Sequence, residues 1–273
     1  MSKPADIIYE QQAAKAFNKQ SAVFDKIYSD NSIIRYKRKR VRDHVEKFIL
    51  PQSKILELNA GTGEDAIYFG QNGHYVHATD ISEGMQAILA QKILSNALED
   101  KITSELCSFT KLENLINKGP YDLIFSNFAG LNCTGELDKV LQSFSPLLKP
   151  GGVDTLVILS KFCLWETLFV FKGKFKTAFR RFLSNKGRKA QIEGEYFRCW
   201  YYNPSFIKRR VSPAFDILNI EGLCTIVPPS YMEGFAEKHP KTFRFLSNSE
   251  EKWKTKWPWR SIGDYYIMSL KKK

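Results

Sequence analysis

The sequence predicts an α/β fold, in which a mostly parallel sheet carries helices on both faces and receives an inserted helical cap. Short apolar strands alternate with helical segments between residues 54 and 159, and this alternation is typical of βαβ units. The alternation stops after residue 159, where an aromatic and basic stretch extends to residue 212. Strand-like segments at 215–227 and 264–270 follow, so we expect this stretch to be an insertion into one domain.

The predicted elements follow from hydrophobic spacing and turn residues. Apolar residues recur at helical spacing over 33–49, and Pro51 ends that helix. Lys37 and Arg38 fall on its apolar face, so their charged ends must reach solvent there, or the helix must leave the core. The other elements before residue 160 are expected as strands at 54–58, 75–79, 102–106, 122–126 and 153–159, and as helices at 64–69, after Ser82 and at 137–148.

Charge is distributed unevenly along the chain. The 273 residues include 41 Lys and Arg against 29 Asp and Glu, which gives a net charge of +12. Residues 51–150 have a net charge of −5, with 7 basic and 12 acidic side chains, and the rest of the chain has +17. Such basic regions suit an anionic partner (a nucleic acid, a membrane surface, an acidic protein or a charged substrate), or they form an ordinary basic surface.

Composition excludes several classes of protein. Hydrophobic residues make up 43% of the chain and charged residues 26%, which is close to the globular average and unlike a disordered or fibrous protein. The five cysteines include no CxxC pair, so we predict neither a metal site nor a disulfide framework. The first residues lack the apolar run of a secretion signal, and no apolar stretch is long enough to span a bilayer, so we expect a cytoplasmic protein.

The strongest functional signal is a glycine-containing loop after the first predicted strand. The segment is Glu57-Leu58-Asn59-Ala60-Gly61-Thr62-Gly63, and Asp80 ends the next predicted strand. Glycines allow a tight turn and close approach of a ligand, and an acidic residue at that strand end can accept both hydroxyls of a ribose. The loop is compatible with a dinucleotide or with S-adenosylmethionine. Glu64 and Asp65 follow it and would repel a pyrophosphate, which favours the cationic S-adenosylmethionine.

Four segments, in order, resemble the motifs of class I S-adenosylmethionine-dependent methyltransferases of the small-molecule type. They are residues 55–65, 78–85, 121–132 (YDLIFSNFAGLN) and 147–152 (LLKPGG). The segment 16–25 is similar to the lead-in helix of the ubiquinone/menaquinone-biosynthesis and malonyl-carrier methyltransferases. The resemblance implies a Rossmann-like sheet of seven mostly parallel strands, and S-adenosylmethionine as the cofactor.

The resemblance also implies roles for residues in these motifs. Glu57 and the turn at 61–63 would lie against the methionine part of the cofactor, and Asp80 would hold the ribose. Asn59 stands where the family has its first glycine. The implied cofactor-binding residues are Glu57, Asn59, Ala60, Gly61, Gly63, Asp80, Ile81, Ser108, Phe109, Asn127 and Phe128.

The sequence defines the acceptor only by class. The aromatic and basic stretch predicts a surface for a small apolar or anionic acceptor, free or bound to a carrier protein. An RNA- or DNA-directed methyltransferase and a non-catalytic binding module remain alternatives. His239 is the candidate catalytic base, because an oxygen nucleophile usually needs one. The candidate acceptor-binding residues are Trp165, Tyr201, Tyr202 and Tyr231.

These inferences divide the chain into four regions. Residues 1–50 form N-terminal lead-in helices, and residues 51–160 form the S-adenosylmethionine-binding core. Residues 161–212 form the inserted cap with the substrate region, and residues 213–273 supply the C-terminal strands that complete the sheet. The sequence assigns neither the acceptor atom nor the oligomeric state.

Overall fold

The computed structural model of the chain describes residues 4–182 and 186–273, with side chains from residue 8 onward. Its helices are α1 (Pro4–Ser29), α2 (Ser32–Val45), α3 (Glu64–Gln71), α4 (Glu83–Ser95), α5 (Leu137–Gln142), α6 (Leu164–Thr167), α7 (Phe175–Phe179), α8 (Pro204–Val211), α9 (Phe235–Lys238) and α10 (Pro240–Trp253). Its strands are β1 (Lys54–Leu58), β2 (Tyr75–Asp80), β3 (Ile102–Leu106), β4 (Tyr121–Ser126), β5 (Leu148–Leu159), β6 (Arg188–Ile192), β7 (Glu195–Cys199), β8 (Phe215–Leu223) and β9 (Tyr265–Lys272). Within these residues, no helix combines the length and the apolarity needed to cross a membrane.

Seven strands form the central sheet in the spatial order β3-β2-β1-β4-β5-β9-β8. The neighbours from β3 to β5 are parallel, whereas β9 runs antiparallel to both β5 and β8. The structure therefore confirms the predicted seven-stranded, mostly parallel sheet. β1 lies between β2 and β4, where the strand order reverses. At such a switch point the loops diverge and leave a crevice beyond the carboxyl ends of the strands.

Apolar side chains cover both faces of this sheet. Neighbouring residues of β1 point to opposite faces, as the pleat of a strand requires. Leu56 belongs to the core cluster that includes Val211 of α8. Ile55 belongs to the cluster that includes Val41 of α2 and Phe69 of α3. The two clusters hold the sheet rigid behind the crevice.

Two predicted elements near the fifth strand have different bounds in the structure. The helix expected at 137–148 ends at Gln142, and a 3₁₀ turn over Ser145–Leu147 follows it. Pro146 lies in that turn, and a proline disfavours helix in the residue before it and removes a backbone donor. β5 accordingly begins at Leu148, and its pairing with β4 has an irregular register near Tyr121.

The first insertion, residues 160–203, follows β5. It contains α6 and α7, as expected of a helical cap, and also a hairpin of β6 and β7 that the sequence analysis did not predict. Glu193 and Gly194 form the hairpin turn with φ values of 47° and 80°. Two consecutive positive φ values are typical of the turns that close tight hairpins. The hairpin packs on α1, where the rings of Phe197 and Phe17 lie 5.7 Å apart.

The second insertion, residues 224–264, lies between β8 and β9 and contains α9 and α10. Its anchor is Glu250, which is 1% exposed. The carboxylate accepts hydrogen bonds from the backbone N–H groups of residues 224–227 and lies 3.3 Å from a guanidinium nitrogen of Arg40. These bonds fix the chain where it leaves the sheet.

Candidate active site

The loop after β1 and the end of β2 are held together by Asp80. The N–H of Gly61 donates to Oδ2 of Asp80 at 2.9 Å, and the N–H of Ser82 donates to Oδ1 at 2.9 Å. Burial raises the pKa of Asp80 above its usual value, although these backbone hydrogen bonds oppose the shift. The carboxylate therefore fixes both loops and keeps lone pairs for further donors.

Asn59 occupies the position of the family's first glycine, in a left-handed conformation with φ of 46°. Asparagine tolerates this conformation better than most residues. Its Nδ2 donates to the carbonyl oxygen of Asn127 at 2.9 Å, and its Oδ1 accepts a hydrogen bond from Ser126 Oγ at 2.6 Å. A Cβ placed on Gly130 would lie 2.1 Å from Cγ of Asn59. The Asn59 side chain thus joins the β1 loop to the β4 loop and depends on the glycine opposite.

The two glycines of the loop serve different purposes. Gly61 has φ of 57°, and nothing lies within 4 Å of the place where its Cβ would be. Gly63 has φ of 81°, and a Cβ there would approach Cδ1 of Leu89 to 2.1 Å. Gly61 therefore leaves space open beside the loop, whereas Gly63 allows α4 to pack closely against it.

A cleft of about 930 Å³, including its open mouth, lies beyond the carboxyl ends of β1, β2 and β4. Gly63 and Ser108 are not among its lining residues; the hydroxyl of Ser108 instead accepts from the N–H of Thr110 at 3.0 Å. The other nine residues that the resemblance implied all line this cleft: Glu57, Asn59, Ala60, Gly61, Asp80, Ile81, Phe109, Asn127 and Phe128.

Helix α1 forms a wall of the cleft. None of the predicted cofactor-binding residues lies on this helix. Glu10, Ala13, Phe17 and Phe24 line the cleft, and their spacing places them on one face of a helix. The spacing of these residues predicts that they share one face of the helix, but it does not predict that this face lines the cleft. Hydrogen bonds fix the helix there, because Asp25 Oδ1 accepts from the hydroxyl of Thr62 at 2.6 Å.

The remaining lining residues are neither on α1 nor among the predicted cofactor-binding residues. They are Arg38, Thr62, Glu64, Asp65, Met85, Gly130, Cys133 and Thr134. Ile81, Met85 and Phe109 form an apolar wall, whereas buried Glu57 and half-buried Asp80 place two carboxylates in the same cleft. The cleft therefore combines an apolar surface with negative charge.

Glu57 and Asp65 are both buried, but their pKa values shift in opposite directions. Burial raises the pKa of Asp65, but Arg38 Nη1 at 2.8 Å and Arg42 Nε at 2.7 Å outweigh burial and hold the pKa below its usual value. Burial and the charge of Asp65 raise the pKa of Glu57, and the charges of Arg38 and Arg42 oppose only part of that shift. Within the described part of the chain, no cationic group lies within ion-pair distance of Glu57, and its Oε2 has no hydrogen-bond partner. An unpaired buried acceptor is costly, so this oxygen suits a ligand with a cationic donor.

The side chain of Lys37 differs from its expected position. The sequence predicts that its charged end reaches solvent or that the helix leaves the core there, but Lys37 is only 3% exposed. Its Nζ donates to Ser230 Oγ at 3.1 Å and lies over the rings of Tyr265 and Phe128, 4.6 Å and 5.1 Å from their centroids. Cation–π contacts explain how a lysine can be buried here. No ion pair of Lys37 with a carboxylate occurs among residues 8–182 and 186–273.

The candidate acceptor residues Tyr201, Tyr202 and Tyr231 are not among the residues that line the cleft. Tyr201 and Tyr202 line a separate groove with Trp200 and Arg209, and the hydroxyl of Tyr202 donates to the carbonyl oxygen of Thr134 at 2.5 Å. Tyr231 packs against a phenyl ring of the first insertion, with ring centroids 6.2 Å apart.

Trp165 and the candidate base also lie outside the cleft lining. Trp165 belongs to α6, and its buried Nε1 has no hydrogen-bond partner among the described residues. His239 is exposed at the junction of α9 and α10, where its ring packs on Phe235.

One cluster in the described residues has the composition of a cation site. Ligand atoms of Cys163, Glu166 and Asp264 lie within 4.8 Å of one another. The Nη2 of Arg181 is 2.5 Å from both Glu166 Oε1 and Asp264 Oδ1. The guanidinium already supplies the positive charge there, so the cluster anchors the first insertion.

Comparisons with known proteins find methyltransferases that resemble this chain. Residues 55–152 match the family described as "Methyltransferase domain". A protein of Synechocystis sp. described as an uncharacterized methyltransferase is 30% identical over 136 residues, which cover 47% of this chain and 59% of that protein. A highly reducing polyketide synthase of Emericella nidulans is 29% identical over 135 residues, 45% of this chain and 5% of the synthase. The chain therefore spans less than two thirds of the length of these relatives.

Among solved structures, one similar fold is a Burkholderia thailandensis 1,6-didemethyltoxoflavin-N1-methyltransferase, solved with 1,6-didemethyltoxoflavin and S-adenosylhomocysteine. The TM-score is 0.58 at 16% identity, over 100% of this chain and 92% of that one. At this identity the likeness concerns the fold alone.

Proposed function

We propose that the chain is an S-adenosylmethionine-dependent methyltransferase that methylates a small apolar or anionic acceptor, free or bound to a carrier protein. The single observation that supports this best is the cleft between β1, β2 and β4. It contains a buried carboxylate with one oxygen that has no hydrogen-bond partner among the described residues, a second carboxylate at the next strand end and an apolar wall. This combination suits a ligand with an ammonium group, a ribose and a purine.

In this proposal the residues of the cleft hold S-adenosylmethionine, which supplies an electrophilic methyl group on a sulfonium. Glu57 Oε2 accepts from the ammonium of the methionine part, and Asp80 accepts from the ribose hydroxyls. Ile81, Met85 and Phe109 pack on the adenine. These contacts fix the cofactor so that an acceptor can be aligned with the methyl group, and alignment supplies much of the rate enhancement in such a transfer.

Lys37 supports an anionic acceptor. A buried cation without an anion is costly, and cation–π contacts offset only part of that cost. Lys37 and Arg38 both lie over the ring of Phe128, which lines the cleft, so the charge of Lys37 is close to the lining of the cofactor site. An acceptor carboxylate or phosphate would pair with this ammonium. The match to a polyketide synthase favours carrier-bound molecules within this class of acceptor.

The cofactor half of the proposal is tested by calorimetric titration with S-adenosylhomocysteine. Asp80→Ala should weaken binding by about 1–3 kcal/mol, because ribose hydroxyls lose a charged partner. Asp100→Ala, at an exposed acid outside the cleft, should leave the affinity unchanged. Absence of binding by the wild-type chain at millimolar ligand would contradict the proposal.

The acceptor half is tested by incubating labelled cofactor with a cell extract and separating small molecules, proteins and nucleic acids. Label in the small-molecule or carrier-protein fraction is expected. Lys37→Met should abolish most of this transfer yet leave the affinity for S-adenosylhomocysteine and the fold unchanged, whereas Lys37→Arg should retain part of the transfer. Label in nucleic acid would support a nucleic-acid methyltransferase instead. Tight cofactor binding with no label in any fraction would support a non-catalytic module.

A further inference from the structure

The first insertion exposes a row of large apolar side chains between Leu168 and Phe182. Phe171 is 87% exposed and Phe175 is 58% exposed, and Leu168, Phe179 and Phe182 are also exposed. Large apolar side chains in such a continuous group on a protein surface commonly mark an interaction site. We name residues 168–182 the phenylalanine–lysine surface.

The exposed phenylalanines are close in sequence, and two pairs are placed together by the structure. A 3₁₀ turn over Leu168–Lys172 leads through Gly173 into α7. Phe175 and Phe179 are four residues apart in α7, so they lie on one face of that helix. The rings of Phe179 and Phe182 lie 6.2 Å apart, so these two exposed rings are neighbours in space as well as in sequence.

Basic residues surround these rings in the sequence, and no acidic residue lies among them. Residues 167–192 contain eight Lys and Arg and no Asp or Glu. Lys172, Lys174 and Lys176 are exposed, and none of the three forms an ion pair with any described residue. Arg180 and Arg181 differ, because both bond to Glu166 and tie the segment to the domain. The three lysines are therefore free to meet an anionic surface.

We propose that the phenylalanine–lysine surface binds the chain peripherally to an anionic lipid membrane. Phenyl rings insert at the boundary between headgroups and acyl chains, and lysines beside them attract anionic headgroups. A fluid bilayer accommodates projecting side chains without a matching pocket. Residues 168–182 line neither the cofactor cleft nor the groove around Tyr201, so this surface is separate from both. Leu168 adds aliphatic area, which suits hydrocarbon better than the stacked bases of a nucleic acid.

The anchoring of the segment strengthens this inference. Arg181 is 2% exposed and donates to the carbonyl oxygens of Ser160 and Asp264 at 2.9 Å each. These bonds hold the base of the segment against β5 and the start of β9. The rings are thus presented by an ordered backbone, which lowers the entropy lost when they insert.

Vesicle flotation with the full chain tests the proposal. The chain should float with vesicles made of equal parts of phosphatidylcholine and phosphatidylglycerol, and should remain unbound with phosphatidylcholine alone. Binding should weaken as salt is added, because salt screens the headgroup charge. No flotation with the mixed vesicles at low salt would overturn the proposal.

Two variants separate the apolar from the electrostatic contribution. Phe171→Ser with Phe175→Ser should lower the partition coefficient by on the order of tenfold or more per ring. Lys172→Glu with Lys174→Glu and Lys176→Glu should lower it by at least roughly fivefold per lysine. Phe245→Ser is the control for the rings, since Phe245 is exposed on α10. Lys238→Glu with Lys241→Glu and Lys252→Glu is the control for the same change in net charge.

The controls decide the location of the site. If the control variants lose binding as strongly as the surface variants, the site is elsewhere or only net charge matters, and the proposal is overturned. Capture of an acidic carrier protein or a single-stranded nucleic acid through the same residues, without vesicle binding, would assign the surface to that partner instead. The affinity for S-adenosylhomocysteine should stay unchanged in every variant, which keeps this test independent of the proposed function.

Discussion

Two carboxylates of the cleft, Glu57 and Asp80, differ from the buried carboxylates of the two insertions in their partners. Among the described residues, Oε2 of Glu57 has no hydrogen-bond partner, and the hydrogen bonds of Asp80 come from backbone N–H groups. In the insertions, Glu166 and Asp264 share Arg181, and Glu250 accepts four backbone N–H groups and contacts Arg40. Burial alone would raise the pKa of Glu166, but Arg180 and Arg181 hold the pKa below its usual value.

This contrast separates groups that stabilise the fold from groups that are available to a ligand. A buried carboxylate is tolerated when cations and N–H groups satisfy it, and it destabilises the fold when they do not. Glu57 therefore lowers the stability of the ligand-free protein, and a cationic ligand would remove that cost. Perturbed carboxylates of this kind concentrate at functional sites.

The largest effect is expected where a paired group in the insertions is broken. Arg181→Met should lower the free energy of unfolding by about 3–5 kcal/mol, because two buried carboxylates lose their cation. Chemical denaturation measures this loss. Arg180→Met is the matched control at a half-exposed arginine that shares Glu166, and it should cost at most about 1 kcal/mol. Equal effects of the two variants would contradict the distinction.

A smaller effect is expected when the unpaired group of the cleft is neutralised. Glu57→Gln should weaken binding of S-adenosylhomocysteine by about 1.5–3 kcal/mol, because an ammonium loses a charged acceptor. Glu64→Gln lines the same cleft but pairs with Lys92 at 2.6 Å, and it should leave the affinity unchanged. Calorimetry at fixed pH compares the two. An unaltered affinity in Glu57→Gln would show that this carboxylate does not face the ligand.

The pH dependence of stability gives the next test. Burial raises the pKa of Glu57 above 4.5 and that of Asp80 above 3.8, so the folded state holds protons that the unfolded chain has released. This contribution to stability is present when the pH is below the usual pKa values, and it is lost as the pH rises through the raised pKa values. In Glu57→Gln the free energy of unfolding should decrease less steeply with rising pH than in the wild type, by up to about 1.4 kcal/mol per pH unit. The measurement is the free energy of unfolding as a function of pH. Glu99→Gln, at an exposed acid, should keep the wild-type slope; a Glu57→Gln slope equal to it would argue against the shift.

The smallest effect is expected at Asn59. Asn59→Gly loses two hydrogen bonds but relieves a positive φ, so the free energy of unfolding should fall by about 1 kcal/mol. Asn59→Ala should cost more, since it loses the same bonds and retains the strained backbone. The affinity for S-adenosylhomocysteine should change by less than about threefold, because the side chain bonds to the β4 loop. A larger change in affinity would show that Asn59 contacts the ligand.

Much of the fold and part of the site could be predicted because their signals are local. The strands at 54–58 and 102–106 agree with the structure, since apolar runs and turn residues define them within a few positions. The hairpin turn at Glu193–Gly194 is also local, but the aromatic and basic residues around it do not show the alternation that indicates strands. The loop after β1 and Asp80 could be found because backbone conformation and strand ends restrict which residues occur there.

The sequence by itself determined the α/β fold, the glycine-containing loop and the acidic strand end, because each depends on neighbouring residues and on backbone geometry. Only the tertiary structure decided that α1 closes the cleft, that Lys37 is buried between Phe128 and Tyr265, and that Arg181 pairs with Asp264. These contacts join residues far apart in the chain. They form when the two insertions and helix α1 pack on the sheet. The pattern of neighbouring residues in the sequence therefore does not predict them.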